Sequence, residues 1–252
     1  MSVPHEEDQP SIRFEQLTES TADSPTLIEG LPGLGMVASI AVEQVTSQLG
    51  LEHHGNVISD DFPPVAAFSG GRVREAVRVY LGEDPALMTL QSDVPIPPWA
   101  VRSLSHAILT DLAPELDRAV FLAGAPAESE AARGDVVAVS TTDALERDAA
   151  AAGIELAEGP GVIGGVTGAL LRDCYHADIP AIVLIVKAHP FIPDPGAAHD
   201  VIEEALEPLV AFDVDTQGLL DQADQIQDQL QQIAAQLEQY QEQEPHARGM
   251  YQ

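Results

Sequence analysis

Lysine is almost absent from this sequence, and basic residues as a whole are few. The 252 residues include 11 Lys or Arg and 41 Asp or Glu, which gives a formal net charge of −30, and Lys187 is the single lysine. Such a surface repels nucleic-acid phosphates and anionic lipid headgroups, so the composition argues against nucleic acid and membrane as partners. Two interpretations fit the acid excess: adaptation to molar salt, which screens charge repulsion, or an acidic surface for a basic partner.

Cysteine, aromatic residues and long apolar runs are also scarce. Cys174 is the single cysteine, which excludes an intramolecular disulfide and a cysteine-cluster metal site, and its neighbours predict a buried position on a helix. No apolar run approaches the ~20 residues that span a bilayer, and residues 1–10 are too acidic for a signal peptide, so we expect a cytoplasmic protein. With 45% hydrophobic and 4% aromatic residues, the core should be aliphatic, as in many α/β proteins.

Strand-like and helix-like segments alternate along most of the chain. Thr26–Glu29 predicts a strand, the glycines that follow predict a turn, and Met36–Leu49 has the apolar spacing of a helix. Residues 57–91 are more β-like, and Arg72–Leu81 alternates arginine with valine as an antiparallel strand would. The whole pattern predicts an α/β fold with a mostly parallel sheet flanked by helices. The later predicted elements are helices over 97–112, 143–152, 159–177 and 197–210 and strands over 118–123, 135–140 and 180–187.

The C-terminal part of the chain has a different pattern. Apolar residues recur there at spacings of 4 and 3, a heptad seam over three repeats, which predicts an amphipathic, coiled-coil-like helix over 216–244. This seam should pack within an oligomer or, alternatively, against its own domain. The chain therefore divides into a mobile N-terminus (1–11), an α/β domain (12–215), this helix and a flexible tail (245–252). The seam consists of Leu219, Ala223, Ile226, Leu230, Ile233, Leu237 and Tyr240.

Two glycine-rich segments precede predicted helices. Gly30, Gly33 and Gly35 occupy the place of a phosphate loop, but they lack the dinucleotide-binding order and the P-loop lysine, which favours a structural turn over anion binding. The segment over 159–168 also lacks a lysine, and its glycines recur at helical spacing. They predict a small-residue helix face that approaches a neighbouring backbone, within the subunit or across an oligomer interface. These glycines are Gly161, Gly164, Gly165 and Gly168.

A histidine and an aspartate follow the most strand-like segment of the chain. His189 and Asp194 lie in a proline-rich loop after the strand over 180–187, and active sites of α/β proteins gather at the carboxyl ends of strands. A hydrolase or phosphorylase that uses His189 as a general base together with Asp194 is therefore one hypothesis. The sequence has no metal-binding histidine pattern and no nucleophile elbow, so no metal ion and no cofactor are predicted.

The last three residues form a hydrophobic–tyrosine–any-residue motif, Met250, Tyr251 and Gln252. A flexible tail that ends this way can enter a pocket on a partner. The terminal carboxylate would pair with a basic group, the tyrosine ring would pack with its hydroxyl at the rim, and the methionine would fill the mouth of the pocket.

Three segments together resemble the proteasome assembly chaperone family, in its archaeal branch: 29–35 (EGLPGLG), 159–165 (GPGVIGG) and 188–198 (AHPFIPDPGAA). The resemblance spans roughly residues 20–240. It implies an α/β fold similar to nucleoside phosphorylases without their catalytic residues, homo-oligomers, and ATP-independent binding to the α subunits of the proteasome core particle. In relatives, a tail of the hydrophobic–tyrosine–any type docks between neighbouring α-ring subunits, and Met250, Tyr251 and Gln252 match that motif by position.

The leading hypothesis is therefore a non-enzymatic assembly chaperone or activator of the archaeal 20S proteasome. Two hypotheses from other classes stand beside it. One is the enzyme that would use His189 and Asp194, and the other is a non-catalytic oligomeric scaffold whose C-terminus matches the motif incidentally.

Overall fold

The computed structural model describes residues 12–19 and 22–243, with side chains up to residue 232. These residues form three layers, in which helices cover both faces of a large sheet. The strands are β1 Ile12–Gln16, β2 Thr26–Gly30, β3 Glu52–Ser59, β4 Ala67–Ser69, β5 Arg72–Arg74, β6 Val77–Glu83, β7 Ala86–Ser92, β8 Arg118–Pro126, β9 Val136–Ser140, β10 Glu155–Leu156 and β11 Ala181–Ala188. The α-helices are α1 Val37–Gln48, α2 Val101–Ala107, α3 Asp143–Ala151, α4 Gly165–His176, α5 Pro195–Val201, α6 Glu207–Val210 and α7 Gln217–Gln243.

Nine of the described strands form one sheet in the order β1-β3-β6-β7-β2-β8-β11-β9-β10. The centre, β7-β2-β8-β11, is parallel, and β10 also pairs with β9 in parallel. The other four pairings are antiparallel. The α/β class with flanking helices is confirmed, and the sheet is mixed because short hairpins join strands such as β6 and β7, whereas parallel neighbours need a longer crossover.

The central strands are apolar on both faces, which explains their nearly continuous hydrophobic sequence. On β2, Ile28 faces one core together with Val120 of β8, beneath α1 and α5. The preceding residue, Leu27, faces the opposite core together with Phe121, beneath α2 and α4. Because successive side chains point to opposite faces of the sheet, each central strand packs against both helix layers.

Two helix ends follow local sequence preferences, and the predicted burial of Cys174 on a helix is confirmed. Gly50 follows α1 with a positive φ of 63°, as expected for a helix C-terminus. The hydroxyl of Thr142 accepts a hydrogen bond from the backbone N–H of Leu145 and caps α3. Cys174 is buried on α4, and burial raises the pKa of its thiol to about 12.

Three predicted boundaries are wrong. The strand predicted over 72–81 is two strands, because β5 pairs with β4 whereas β6 pairs with β3 and β7, and alternation alone does not reveal a change of partner. The helix predicted over 97–112 begins at Val101 and continues as a π-helical turn over Ile108–Leu112. The helix predicted over 159–177 begins at Gly165, so the glycines before it are not helical.

Candidate functional site

Two glycine-rich loops meet at the edge of the sheet where the parallel strands β2, β8 and β11 end. We call residues 30–35 the first glycine loop and residues 159–165 the second glycine loop. A crevice of about 280 Å³ lies between them, lined by residues of both loops and of α4 and by Leu122, Ala123 and Ile185 of the sheet. Ligands of open α/β sheets bind at such an edge, so a bound anion or a substrate would be expected here.

The first glycine loop is tightly packed. A Cβ atom on Gly30 would lie 2.5 Å from Cβ of Val42 on α1. Gly35 has a φ of 64°, and a Cβ there would lie 2.9 Å from Cβ of Ala188. Close approach at both positions, and left-handed backbone at Gly35, are physical reasons for glycine there. Gly33 has open space around its Cα, so packing gives no reason for glycine there.

The second glycine loop is open. No atom lies within 4 Å of a Cβ built on Gly161, Gly164 or Gly165. Gly161 and Gly164 precede α4, which corrects the predicted helix face, and a Cβ on Gly168 would meet the carbonyl oxygen of Ile163 in the same loop at 2.1 Å. Within the described part of the chain, therefore, no neighbouring backbone uses the space beside the first three glycines, and their role in oligomerisation stays a prediction.

A buried carboxyl group connects the two loops. Glu29 at the end of β2 is completely buried, and its Oε1 accepts a hydrogen bond of 2.9 Å from the backbone N–H of Leu31 in the first glycine loop. Its Oε2 accepts a bond of 3.3 Å from the hydroxyl of Thr167 in the first turn of α4. Burial raises the pKa of Glu29 to about 7, against the opposing effect of these bonds. A carboxylate at this position opposes the binding of a phosphate to either loop.

The predicted acid–base pair of His189 and Asp194 does not form. The buried carboxylate of Asp194 accepts two hydrogen bonds from the guanidinium of Arg133, at 2.7 and 2.8 Å, and further bonds from the backbone N–H groups of His189 and Ala197. Burial alone would raise the pKa of Asp194, but these bonds hold it below its usual value. Asp194 thus caps α5 and orders the loop, and its carboxylate contacts the backbone of His189 rather than the imidazole ring.

The C-terminal helix packs on its own domain at its start and leaves it gradually. Leu219 is buried, Ala223 and Ile226 are half-buried, and Leu230 is 43% exposed. Ile226 and Leu230 line a small cavity together with Pro193 of the loop that precedes α5. The first part of the seam therefore follows the alternative prediction, packing within the chain. The side chains of Ile233, Leu237 and Tyr240, and the motif Met250, Tyr251 and Gln252, lie outside the described residues.

A small hairpin was missed by the sequence analysis. β4 and β5 pair with each other, and among the described strands neither joins the large sheet. Gly70 and Gly71 form the turn, with φ values of 57° and 78°. A Gly-Gly pair between short strand-like segments is a signal for a type I′ hairpin, so the sequence contains a signal for the pairing of β4 with β5, although not for the end of β5 at Arg74.

Among residues 12–19 and 22–243, no helix is long and apolar enough to cross a membrane. The same residues contain no cluster of three His, Cys, Asp or Glu side chains with the geometry to hold a metal ion.

Comparison with known proteins places this arrangement among solved structures. The model of the PAC2 family matches residues 27–234. The fold is similar to that of Pyrococcus furiosus PbaA, described as an archaeal homolog of proteasome-assembly chaperone, with a TM-score of 0.80, 24% identity, and coverage of 96% of this chain and 100% of that one. It is also similar to P. furiosus PbaB, described as an archaeal proteasome activator, with a TM-score of 0.80, 19% identity, and coverage of 90% and 100%. An uncharacterized protein of Methanocaldococcus jannaschii is 26% identical over 226 residues, which cover 90% of this chain and 92% of the relative.

Proposed function

This chain belongs to the PAC2 family, and from that premise we propose that it is an ATP-independent, non-enzymatic assembly chaperone or activator of the archaeal 20S proteasome. The observation that carries the proposal is the match over residues 27–234, joined by a fold shared along nearly the whole chain with both PbaA and PbaB. The engagement of Asp194 by Arg133 and by backbone N–H groups supports the non-enzymatic part, because the acid–base pair of the competing hypothesis is not formed.

The proposed contact is the C-terminal motif. Met250, Tyr251 and the carboxylate of Gln252 would enter a pocket between neighbouring α subunits of the core particle. The course of α7 supports this assignment, since a helix of 27 residues is about 40 Å long and its seam becomes more exposed from Leu219 to Leu230. Such a helix can hold a short terminal segment away from the α/β body.

We further propose that the protein binds as a homo-oligomer. A three-residue contact is small, and its affinity for one site is correspondingly weak. Several tails carried by one oligomer bind a ring of equivalent pockets with an avidity that can exceed the single-site affinity by about 10²–10⁴. Contacts between copies would use the second half of the seam, which consists of Ile233, Leu237 and Tyr240.

The test is co-sedimentation of the protein with purified 20S core particle in buffer of high salt concentration. Tyr251→Ala, and separately removal of Met250–Gln252, should lower the bound fraction at least tenfold, because the ring and the terminal carboxylate supply the contact. Gln252→Ala is the matched control, since the last position keeps its carboxylate and tolerates any side chain. Binding of Tyr251→Ala at the wild-type level, with circular dichroism unchanged, would contradict the tail contact. An intact oligomer that never binds core particle would favour the scaffold hypothesis.

A further inference from the structure

The residue directly before α7 has a buried hydroxyl group that does not cap its own helix. Thr216 is 2% exposed and precedes Gln217, at a position where a threonine side chain ordinarily accepts a hydrogen bond from a backbone N–H of the first helical turn. Here the carboxylate of Asp215 accepts the bond from the N–H of Gln217, at 2.9 Å, and the N–H of Leu219 binds the backbone carbonyl of Thr216. The hydroxyl group of Thr216 is therefore left for contacts outside α7.

Two side chains of the preceding helical segment hold this hydroxyl group. His199 lies on α5, and Glu203 lies one turn later in a π-helical turn over Ile202–Leu206, so both can face Thr216. The hydroxyl donates its proton to Oε1 of Glu203, because an ionised carboxylate only accepts. The contact of 2.8 Å between the hydroxyl oxygen and Nδ1 of His199 is then a bond that the imidazole ring donates. The hydroxyl group is thus used both as a donor and as an acceptor.

The two residues before this threonine are held by two further elements. The backbone N–H of Val214 donates a hydrogen bond of 2.8 Å to Oε1 of Glu207 on α6. The side-chain amide of Gln44 on α1 donates a bond to the backbone carbonyl of Asp215. Three consecutive residues are thus fixed by side chains of α6, of α1 and of the helical segment that begins with α5. Fully satisfied polar contacts of this kind specify one arrangement of the chain, whereas apolar packing alone tolerates several.

The length of α7 amplifies any change at its base. A helix of 27 residues is about 40 Å long, so a tilt of about 10° at the first turn moves the far end by about 7 Å. Apolar contacts with the body weaken along the helix, since Leu219 is buried, Ile226 is half-buried and Leu230 is 43% exposed. The direction of α7 therefore depends on how its first residues are fixed.

We propose that the hydroxyl group of Thr216, held by His199 and Glu203, sets the direction in which α7 leaves the α/β body. The three are positioning residues, which do not touch the partner themselves. They hold the C-terminal motif at a place from which several tails of one oligomer can meet the pockets of one ring at the same time. Avidity is lost when geometry forbids such simultaneous binding, so a misdirected helix weakens docking even if each tail is intact. This role in docking rests on the proposed function.

The distance between two spin labels on one chain tests the direction of α7. Glu146→Cys on α3 and Gln231→Cys on α7 are exposed labelling sites, and the native Cys174 is buried with a thiol pKa raised to about 12, so it takes no label. The labelled chain is diluted with unlabelled chain, so that distances between copies do not contribute.

Thr216→Val removes the hydroxyl group and keeps the shape of the side chain. It should widen the distribution of label distances about twofold, because a label on Gln231 lies about 22 Å along the helix and moves by about 4 Å for each 10° of tilt. Glu203→Ala truncates an exposed side chain that folding does not require, and it should widen the distribution in the same direction. Thr216→Ser restores the hydroxyl group and should restore the narrow distribution.

Thr46→Val is the matched control for a general loss of stability. The hydroxyl group of Thr46 is also buried and bonds Thr89 and Gln91 within the body, far from α7 in these contacts. Its removal should lower the unfolding free energy and leave the label distances unchanged. An unchanged distribution in Thr216→Val and Glu203→Ala would overturn the proposal and show that apolar packing alone directs α7.

Co-sedimentation with core particle tests the role of this direction in docking. Thr216→Val should bind about tenfold more weakly through lost avidity, whereas Thr46→Val should bind like the wild type. Binding of Thr216→Val at the wild-type level, with a widened distribution of label distances, would contradict the positioning role. The distance measurement uses no core particle, so a wild type that never binds would refute the proposed function alone, and a widened distribution would still support the control of α7 by Thr216.

Discussion

The two glycine loops at the edge of the sheet are rich in the same residue but use it differently. In the first loop, Gly30 and Gly35 allow α1 and β11 to approach so closely that an added methyl group would overlap Val42 or Ala188. In the second loop, Gly161 has no neighbour within 4 Å of such a methyl group. Glycine therefore supports internal packing in one loop and leaves an open, exposed backbone in the other.

Left-handed backbone and close packing are two separate reasons for glycine, and the sequence alone does not distinguish them. Gly35 and Gly165 share the same left-handed backbone, with φ values of 64° and 68°, but only Gly35 is also closely packed. Glu29 then joins the two regions, because its carboxyl group accepts hydrogen bonds from Leu31 on one side and from Thr167 on the other. Substitutions at these positions should therefore change stability in a graded order.

The largest loss of unfolding free energy is expected for Gly35→Ala, and Gly165→Ala is its comparison. Both variants place a side chain in left-handed backbone, at about 1–2 kcal/mol each. Gly35→Ala also forces a methyl group against Ala188, which adds about 1–3 kcal/mol of overpacking. Urea unfolding at one fixed salt concentration measures both. Equal losses of unfolding free energy in the two variants would show that the first glycine loop is no more tightly packed than the second.

The next effect is the pH dependence that Glu29 contributes. Its pKa is about 7 in the folded protein against an ordinary value of 4.5, so the folded state binds the proton more tightly. The stability that protonated Glu29 contributes is fully present below pH 4.5 and is lost as the pH rises through 7. Glu29→Gln removes the titration, so relative to the variant the wild type should lose about 3 kcal/mol of unfolding free energy between pH 4.5 and 8.

Denaturant unfolding of both proteins across that pH range measures the Glu29 effect. Glu43→Gln is the control, because Glu43 is an exposed acid on α1 and its substitution removes a charge without changing the buried link between the loops. If the unfolding free energies of the wild type and Glu29→Gln changed in parallel from pH 4.5 to 8, the carboxyl group of Glu29 would not titrate with a raised pKa in the folded protein.

The smallest effect is expected for Gly161→Ala. Its backbone is outside the left-handed region and its surroundings are open, so alanine fits the folded chain and reduces the freedom of the unfolded one. The variant should be unchanged or more stable by about 0.4–1 kcal/mol. The same urea titration detects this change, and a loss of more than 1 kcal/mol would mean that the second glycine loop is packed as tightly as the first.

The sequence predicted the fold where one local signal decided the structure. Local signals of this kind are the nearly continuous apolar sequence of β11, Gly50 after α1 and Thr142 before α3, each of which acts through neighbours in the chain. The partner change between β5 and β6 depends on distant strands, so the sequence analysis missed it.

The candidate site was predictable to a smaller extent for the same reason. At the first glycine loop, glycine at a strand–helix turn has a local meaning, and the close packing of Gly30 and Gly35 agrees with it. The state of Asp194 depends on Arg133, 61 residues away, and that of Glu29 on Thr167, 138 residues away. Spacing along the sequence does not reveal such long-range pairs, which make Asp194 a helix cap rather than a member of an acid–base pair and make Glu29 a link between two loops.

The width of the sheet has one further consequence. Neighbouring strands of a sheet are rotated by about 20–25° on average, so surfaces at the two ends of this nine-stranded sheet face different directions. A partner that contacts one end of the sheet is therefore not expected to reach the other end without following the twist of the molecule.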